Sequence, residues 1–158
     1  GEVDKYTWVD VGSSYVLGDL LAAFLLAQLE DLGNIQARRR ALWEHYLANL
    51  SGLTASHGLG LPFVPAHCEQ AYHMFYLLTR SLAERTALIR HLKARDMHAV
   101  FHYVPLHLSA MGVSFGGHAG QCPVTEDISD RLLRLPFYNT LDAAAQARVI
   151  EAVLQFRP

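Results

Sequence analysis

The sequence predicts an α+β fold: a long N-terminal helix, then a small, mostly antiparallel sheet covered by helices on one side. Three observations carry that expectation. Asp19 to Leu50 is the longest stretch with helical apolar patterning. Ala71–Thr79 and Ala99–Tyr103 are short aromatic and apolar runs with the composition of strands. Helix start and stop signals separate and follow those two runs.

Each element has its own justification. Asp19 places a carboxylate near unpaired N–H groups at the start of the long helix. Leu20, Leu21, Ala23, Phe24, Leu26, Ala27 and Leu29 cover most of its circumference, which predicts a deeply buried first half. Gly33-Asn34 weakens the middle and is the expected bend. Ile35, Leu42, Tyr46 and Leu50 then line one side, with Arg38, Arg39 and Arg40 read as a solvated face. Ser51-Gly52 ends the helix.

Within the first strand, alternation puts His73 with Phe75, so His73 is expected to be buried and satisfied. Ser81-Leu82-Ala83-Glu84 has the form of a capping box and opens a helix through Arg95, with Leu88, Ile89 and Leu92 inward. Gly112 to Gly120 reads as a mobile glycine-rich surface loop, since no lysine or helix follows where a phosphate cradle needs one. Thr125 is expected to cap a helix through Leu135, stopped by Pro136. Thr140 or Asp142 starts the last helix, with Val149, Ile150, Val153 and Leu154 inward.

Composition bounds the function. The chain has 158 residues and a formal net charge of −2, which gives no sign of nucleic acid or an anionic membrane as partner. Leu20–Leu32 is apolar but interrupted by charge and shorter than the roughly 20 residues a bilayer requires. Cys68 and Cys122 have no CxxC spacing and read as free thiols, and with no signal peptide the expected compartment is the cytoplasm.

The segment Ala99-Val100-Phe101-His102-Tyr103-Val104-Pro105-Leu106-His107 is the richest in chemistry. Pro105 ends the ladder, leaving His102 near the strand end and His107 on the loop beyond. An imidazole in such a place suits acid–base work or substrate anchoring. The competing readings are a hydrogen-bonded structural histidine at each position and a metal site, whose ligand spacing the five-residue gap does not match. Glu126 and Asp127 fall in a helix first turn, where the dipole accounts for them.

In order, Gly12-Ser13-Ser14-Tyr15, Asp19-Leu20-Leu21-Ala22-Ala23 through Ala27-Gln28-Leu29-Glu30, Tyr72-His73-Met74-Phe75-Tyr76, Phe101 through His107, and Leu132-Leu133-Arg134-Leu135-Pro136-Phe137-Tyr138 resemble the C-terminal part of the DegT/StrS family of pyridoxal-phosphate sugar aminotransferases. With Val3 to Trp8, the resemblance is nearest to its dTDP-4-amino-4,6-dideoxygalactose transaminase branch. It implies the small C-terminal domain of a fold-type-I enzyme over 19–158, with 1–18 as the end of the large domain or a linker. The implied partners are glutamate as amino donor, a nucleotide-linked 4-keto-6-deoxy sugar, and a second copy in a homodimer. The implied product feeds cell-surface polysaccharide such as lipopolysaccharide or enterobacterial common antigen.

The same resemblance implies that Ser14 reaches the pyridoxal-phosphate phosphate of the partner subunit, and that His102, Tyr103 and His107 line the sugar-nucleotide cleft. Tyr6 and Trp8 are further substrate candidates or interface packing. Schiff-base chemistry needs a lysine, and the chain has only Lys5 and Lys93, neither where the family keeps it. The chain is therefore expected to hold no catalytic residue, no metal and no coenzyme of its own, and to be inactive alone. The alternative is a non-catalytic dimerisation or interaction module, for which the apolar Leu20–Leu29 surface would need a partner; a more distant one is a histidine-dependent metal hydrolase.

Overall fold

A computed structural model describes residues 7–12 and 16–157. The long helical pattern is two helices, α1 (Asp19–Glu30) and α2 (Leu32–Leu50). They part at Asp31, whose backbone (φ −96°, ψ 13°) leaves the helical region. The break precedes the expected Gly33-Asn34, and the Asn34 amide donates to Asp31 Oδ1 at 2.6 Å. Short polar side chains of this kind compete with the helix for local hydrogen bonds.

No residue of α1 is buried, against the expectation of deep burial. Leu20 is 88% exposed and Phe24 69%. Periodicity records that a surface is apolar, not that the same chain covers it. Among the described residues no helix is long and apolar enough to cross a membrane.

The core begins in α2, where Leu42, Trp43, Tyr46 and Leu50 are buried. Of its three arginines, Arg38 and Arg40 are exposed as expected and Arg39 is half-buried. Arg38 donates to the carbonyls of Asn139 and Leu141, and Arg39 to those of Tyr72 and His73 and to Asn139 Oδ1. Only Arg40 makes a surface pair, with Glu44. After α3 (Leu53–His57) the chain enters β1, which spans Tyr76–Leu78 rather than the whole of 71–79. Upstream, Arg39 occupies the carbonyls of Tyr72 and His73, and Tyr72 takes φ 49°. With no ladder there, His73 is exposed, not buried.

Helix α4 (Leu82–Lys93) is capped by Ser81 Oγ, which accepts from the Glu84 N–H at 3.2 Å. The Glu84 carboxylate reaches the Arg80 N–H instead of that of Ser81. Strand β2 is Val100–Phe101, shorter than expected because the ladder stops before His102. A 3₁₀ turn (Leu106–Leu108), α5 (Ala110–Ser114) and α6 (Pro123–Arg131) follow. Cys122, not Thr125, precedes α6, and Pro123 takes its first position, where a missing N–H costs nothing.

Leu132–Arg134, expected as the end of that helix, is β3 and the centre of the antiparallel sheet, order β1-β3-β2. Its register sets Arg134 between Tyr76 and Val100, and Leu133 between Leu77 and Phe101. Leu133 and Leu135 are buried while Arg134 faces out, a period of two too short to tell from a helix tail in sequence. Asp142 caps α7 (Ala143–Gln155), its Oδ1 accepting from the Ala145 N–H at 2.7 Å. Val149, Ile150 and Val153 point inward as expected, but Leu154 is 39% exposed. Buried Gln146 ties α7 to α2 through the Leu42 carbonyl at 2.7 Å.

Candidate functional site

His102 follows β2, two residues past Val100, so sheet alternation aims it toward the face that carries Arg134. Its ring stacks on Tyr103 with centroids 3.9 Å apart, and the Arg134 guanidinium lies 5.1 Å from the centre of the Tyr103 ring. Burial, then the charges of Arg134 and His73, hold the His102 imidazole below its ordinary pKa. It is thus neutral near pH 7, able to donate one hydrogen bond and accept another. Its Nδ1 is buried without a partner among the described residues.

His102, Tyr103, Val104 and Pro105 form one wall of a cleft of about 400 Å³, and Val124, Thr125 and Ile128 of α6 form the other. An aromatic and largely apolar groove with one neutral imidazole is a binding geometry.

His107 is not part of that cleft. Its Nε2 lies 2.9 Å from Glu126 Oε1. The Glu126 carboxylate also accepts from the Gly120 N–H at 2.9 and 3.0 Å and from the Cys122 N–H at 3.2 Å. The His107 hydrogen bond first, and those backbone donors after it, hold the Glu126 carboxyl below the usual carboxylate range. Sequence reasoning explained Glu126 by the helix dipole and missed this role. The available signal was a glutamate one turn past a proline at the helix start, close enough to reach back to the capping N–H.

The glycine-rich segment is correspondingly packed, not a loose loop. A Cβ on buried Gly112 would fall on the Leu106 carbonyl oxygen, and one on Gly117 on that of His107. Trp8 stacks on Phe115 with centroids 5.6 Å apart, and its carbonyl accepts from the Met111 N–H at 3.1 Å. Trp8 thus braces the segment that His107 and Glu126 hold from the other end. Tyr6 and Ser14 lie outside the described residues.

Pyridoxal phosphate, which the resemblance gives to the full-length parent and not to this chain alone, would need a Schiff-base lysine. Lys93 is exposed in the last turn of α4 and lines no part of the cleft, and Lys5 lies outside the described residues. No step of amino transfer can be assigned to the side chains seen here.

Comparison with known proteins gives one consistent result. A family model described as the DegT/DnrJ/EryC1/StrS aminotransferase family matches residues 1–154. The chain is 32% identical over 157 residues to the dTDP-3-amino-3,4,6-trideoxy-alpha-D-glucose transaminase of Streptomyces venezuelae, covering 99% of this chain and 40% of that protein. It is 32% identical to the erythromycin biosynthesis sensory transduction protein EryC1 of Saccharopolyspora erythraea, covering 95% and 40% respectively. The crystal structure of S. venezuelae DesV in complex with a ketimine intermediate superposes with a TM-score of 0.79 at 33% identity, over 97% of this chain and 40% of that one. A DegT DnrJ EryC1 StrS aminotransferase from Brucella abortus gives 0.75 at 27% identity, over 98% and 39%. The chain spans about two fifths of the length of these relatives.

Proposed function

The chain belongs to the DegT/DnrJ/EryC1/StrS aminotransferase family, and from that premise we propose that it is the C-terminal small domain, 19–158, of a pyridoxal-phosphate enzyme that transfers an amino group from glutamate to a nucleotide-linked keto-deoxy sugar. Residues 1–18 are then the end of the large domain or a linker. The single observation that carries the proposal is the family match through residues 1–154. Its motif residues His102 and Tyr103 share one cleft wall, beside Arg134.

On this reading His102 and Tyr103 contact the sugar nucleotide, and Ser14 reaches the cofactor phosphate of the partner subunit. His107 works through its bond to Glu126, holding the wall of the cleft. Trp8, packed on Phe115, braces that wall, and Tyr6 remains a substrate candidate. The Schiff-base lysine belongs to polypeptide beyond these 158 residues, so the chain by itself does not transaminate. The exposed apolar side of α1 supports this reading, because it is a surface in need of cover from a large domain or a second subunit. The sugar follows the 4-keto-6-deoxy pattern, the enzyme is cytoplasmic, and its product enters cell-surface polysaccharide.

The same α1 surface favours one other reading, a non-catalytic module that kept the fold and binds a partner. The test is the reading frame upstream of Gly1, followed by assay of the longer protein with glutamate and dTDP-4-keto-6-deoxyglucose. A lysine-bearing large domain and formation of 2-oxoglutarate with a 4-amino sugar are expected. A 3-amino product from the corresponding 3-keto sugar, the chemistry named for the S. venezuelae relative, would overturn the position of amination alone. A frame that starts at this chain would establish the module.

A further inference from the structure

Residues 62–72 close a cavity of about 540 Å³ against α2. It shares no lining residue with the cleft of His102. Three aromatic side chains line it, Trp43 from α2 and Phe63 and Tyr72 from the segment opposite. The Trp43 and Tyr72 rings meet at 69° with centroids 5.8 Å apart, so two of the walls form an aromatic corner. Trp43 is also anchored in the core, edge-on to Phe75. Phe63 is 82% exposed and leaves most of its ring to solvent.

The charges on the rim are unequal in what they have left to offer. Arg40 is engaged, its Nε donating to Glu44 Oε1 at 2.7 Å. Glu69, which lines the same cavity, makes no ion pair among the described residues. The charge left over at the cavity is therefore negative. The Arg40 guanidinium lies 5.9 Å from the centre of the Tyr72 ring. That is the outer limit of attraction between a cation and an aromatic face, about 6 Å, so most of the pull of that ring is unused.

We propose that this cavity binds an organic cation, an ammonium group carried on an apolar body. The rings of Trp43, Phe63 and Tyr72 take the cation and its carbons, and Glu69 supplies the counter-charge. An aromatic face presents negative potential, so a corner of such faces attracts a cation and disfavours an anion. A neutral molecule of the same shape gains the apolar burial and neither electrostatic contribution. The volume lies within the roughly 300–1,000 Å³ of ligand pockets. The assignment stands apart from the function proposed above and holds whether or not the longer protein aminates a sugar.

The test uses the 158-residue chain carrying Trp8→Phe, which leaves Trp43 as the reporting tryptophan. Phenethylammonium, phenethyl alcohol and hydrocinnamate are the probes, one shape with positive, neutral and negative charge. Phenethylammonium is expected to change the Trp43 emission saturably and to bind about fivefold more tightly than the alcohol, and hydrocinnamate to bind more weakly than either. Glu69→Gln should weaken the ammonium about threefold and flatten its salt dependence. Phe63→Ala, at an exposed position, should weaken it about fivefold, while Glu30→Gln, on exposed α1, should change nothing. If Trp8→Phe fails to fold, the indole N–H signal of Trp43 in NMR spectra of the unaltered chain gives the same titration.

Absence of a saturable response to phenethylammonium overturns the site. Equal affinity for the ammonium and the alcohol, or tighter binding of hydrocinnamate, overturns the cation assignment. Equal weakening by Glu69→Gln and Glu30→Gln overturns the counter-charge assigned to Glu69.

Discussion

Replacing Leu133 by alanine tests the element on which the site is built. Leu133 is fully buried in the middle strand, and its backbone is held by Leu77 on one side and Phe101 on the other. Truncating a buried leucine costs about 2–5 kcal/mol, least where neighbours can collapse into the void. A strand pinned on both edges cannot move in, so the expected loss is about 3–4 kcal/mol. For a urea dependence of about 2 kcal/mol per molar, the midpoint falls by about 1.5–2 M. Fluorescence of buried Trp43 reports the transition. Leu135→Ala should cost nearly as much, and Arg134→Ala, which loses one ring contact, about 1 kcal/mol or less. This alternation is the signature of a strand. A helical tail would load Leu132 and Leu135, three residues apart, and spare Leu133. A Leu133→Ala midpoint no lower than that of Arg134→Ala would refute the assignment of β3.

Three further outcomes are expected. Gly117→Ala drives a Cβ onto the His107 carbonyl oxygen, so it should lower the melting temperature and alter the His107 imidazole signal, whereas Gly120→Ala, with open space but φ +84°, should cost only about 1–2 kcal/mol. Stability should fall with acid in two windows. His102, held below its ordinary value in the fold, is protonated more readily when unfolded, so stability drops as pH falls through the normal imidazole range, and His102→Gln should flatten that slope in urea midpoints. Glu126, also held low, contributes stability above the usual carboxylate range that is lost as pH falls through its folded value, and Glu126→Gln should reduce that second loss, to which Glu84, also held low, contributes as well. Arg39→Met strips the side-chain donors from the Tyr72 and His73 carbonyls and should destabilise by about 1–3 kcal/mol, with faster amide exchange confined to residues 70–75 if the arginine is what organises that stretch.

Local chemistry was legible where a few adjacent residues settle it. Ser81 and Asp142 cap their helices because short oxygen-bearing side chains reach N–H groups three residues on, whatever the rest of the chain does. His102 at a strand end followed from Pro105 in the same way. The pairing of Glu126 with His107 was not legible, because the two lie nineteen residues apart and meet only once the glycine-rich segment has folded back.

The amino-acid sequence by itself determined the α+β class, the caps, the family resemblance and the placing of His102 and Tyr103 together. These rest on contacts within one turn or one strand, or on motifs read as such. Tertiary structure alone decided that Leu132–Arg134 is the central strand, that the apolar side of α1 is left bare, and that Trp43, Phe63 and Tyr72 line one cavity. Each depends on which distant segment stands opposite, and a sidedness pattern three residues long does not encode its own partner.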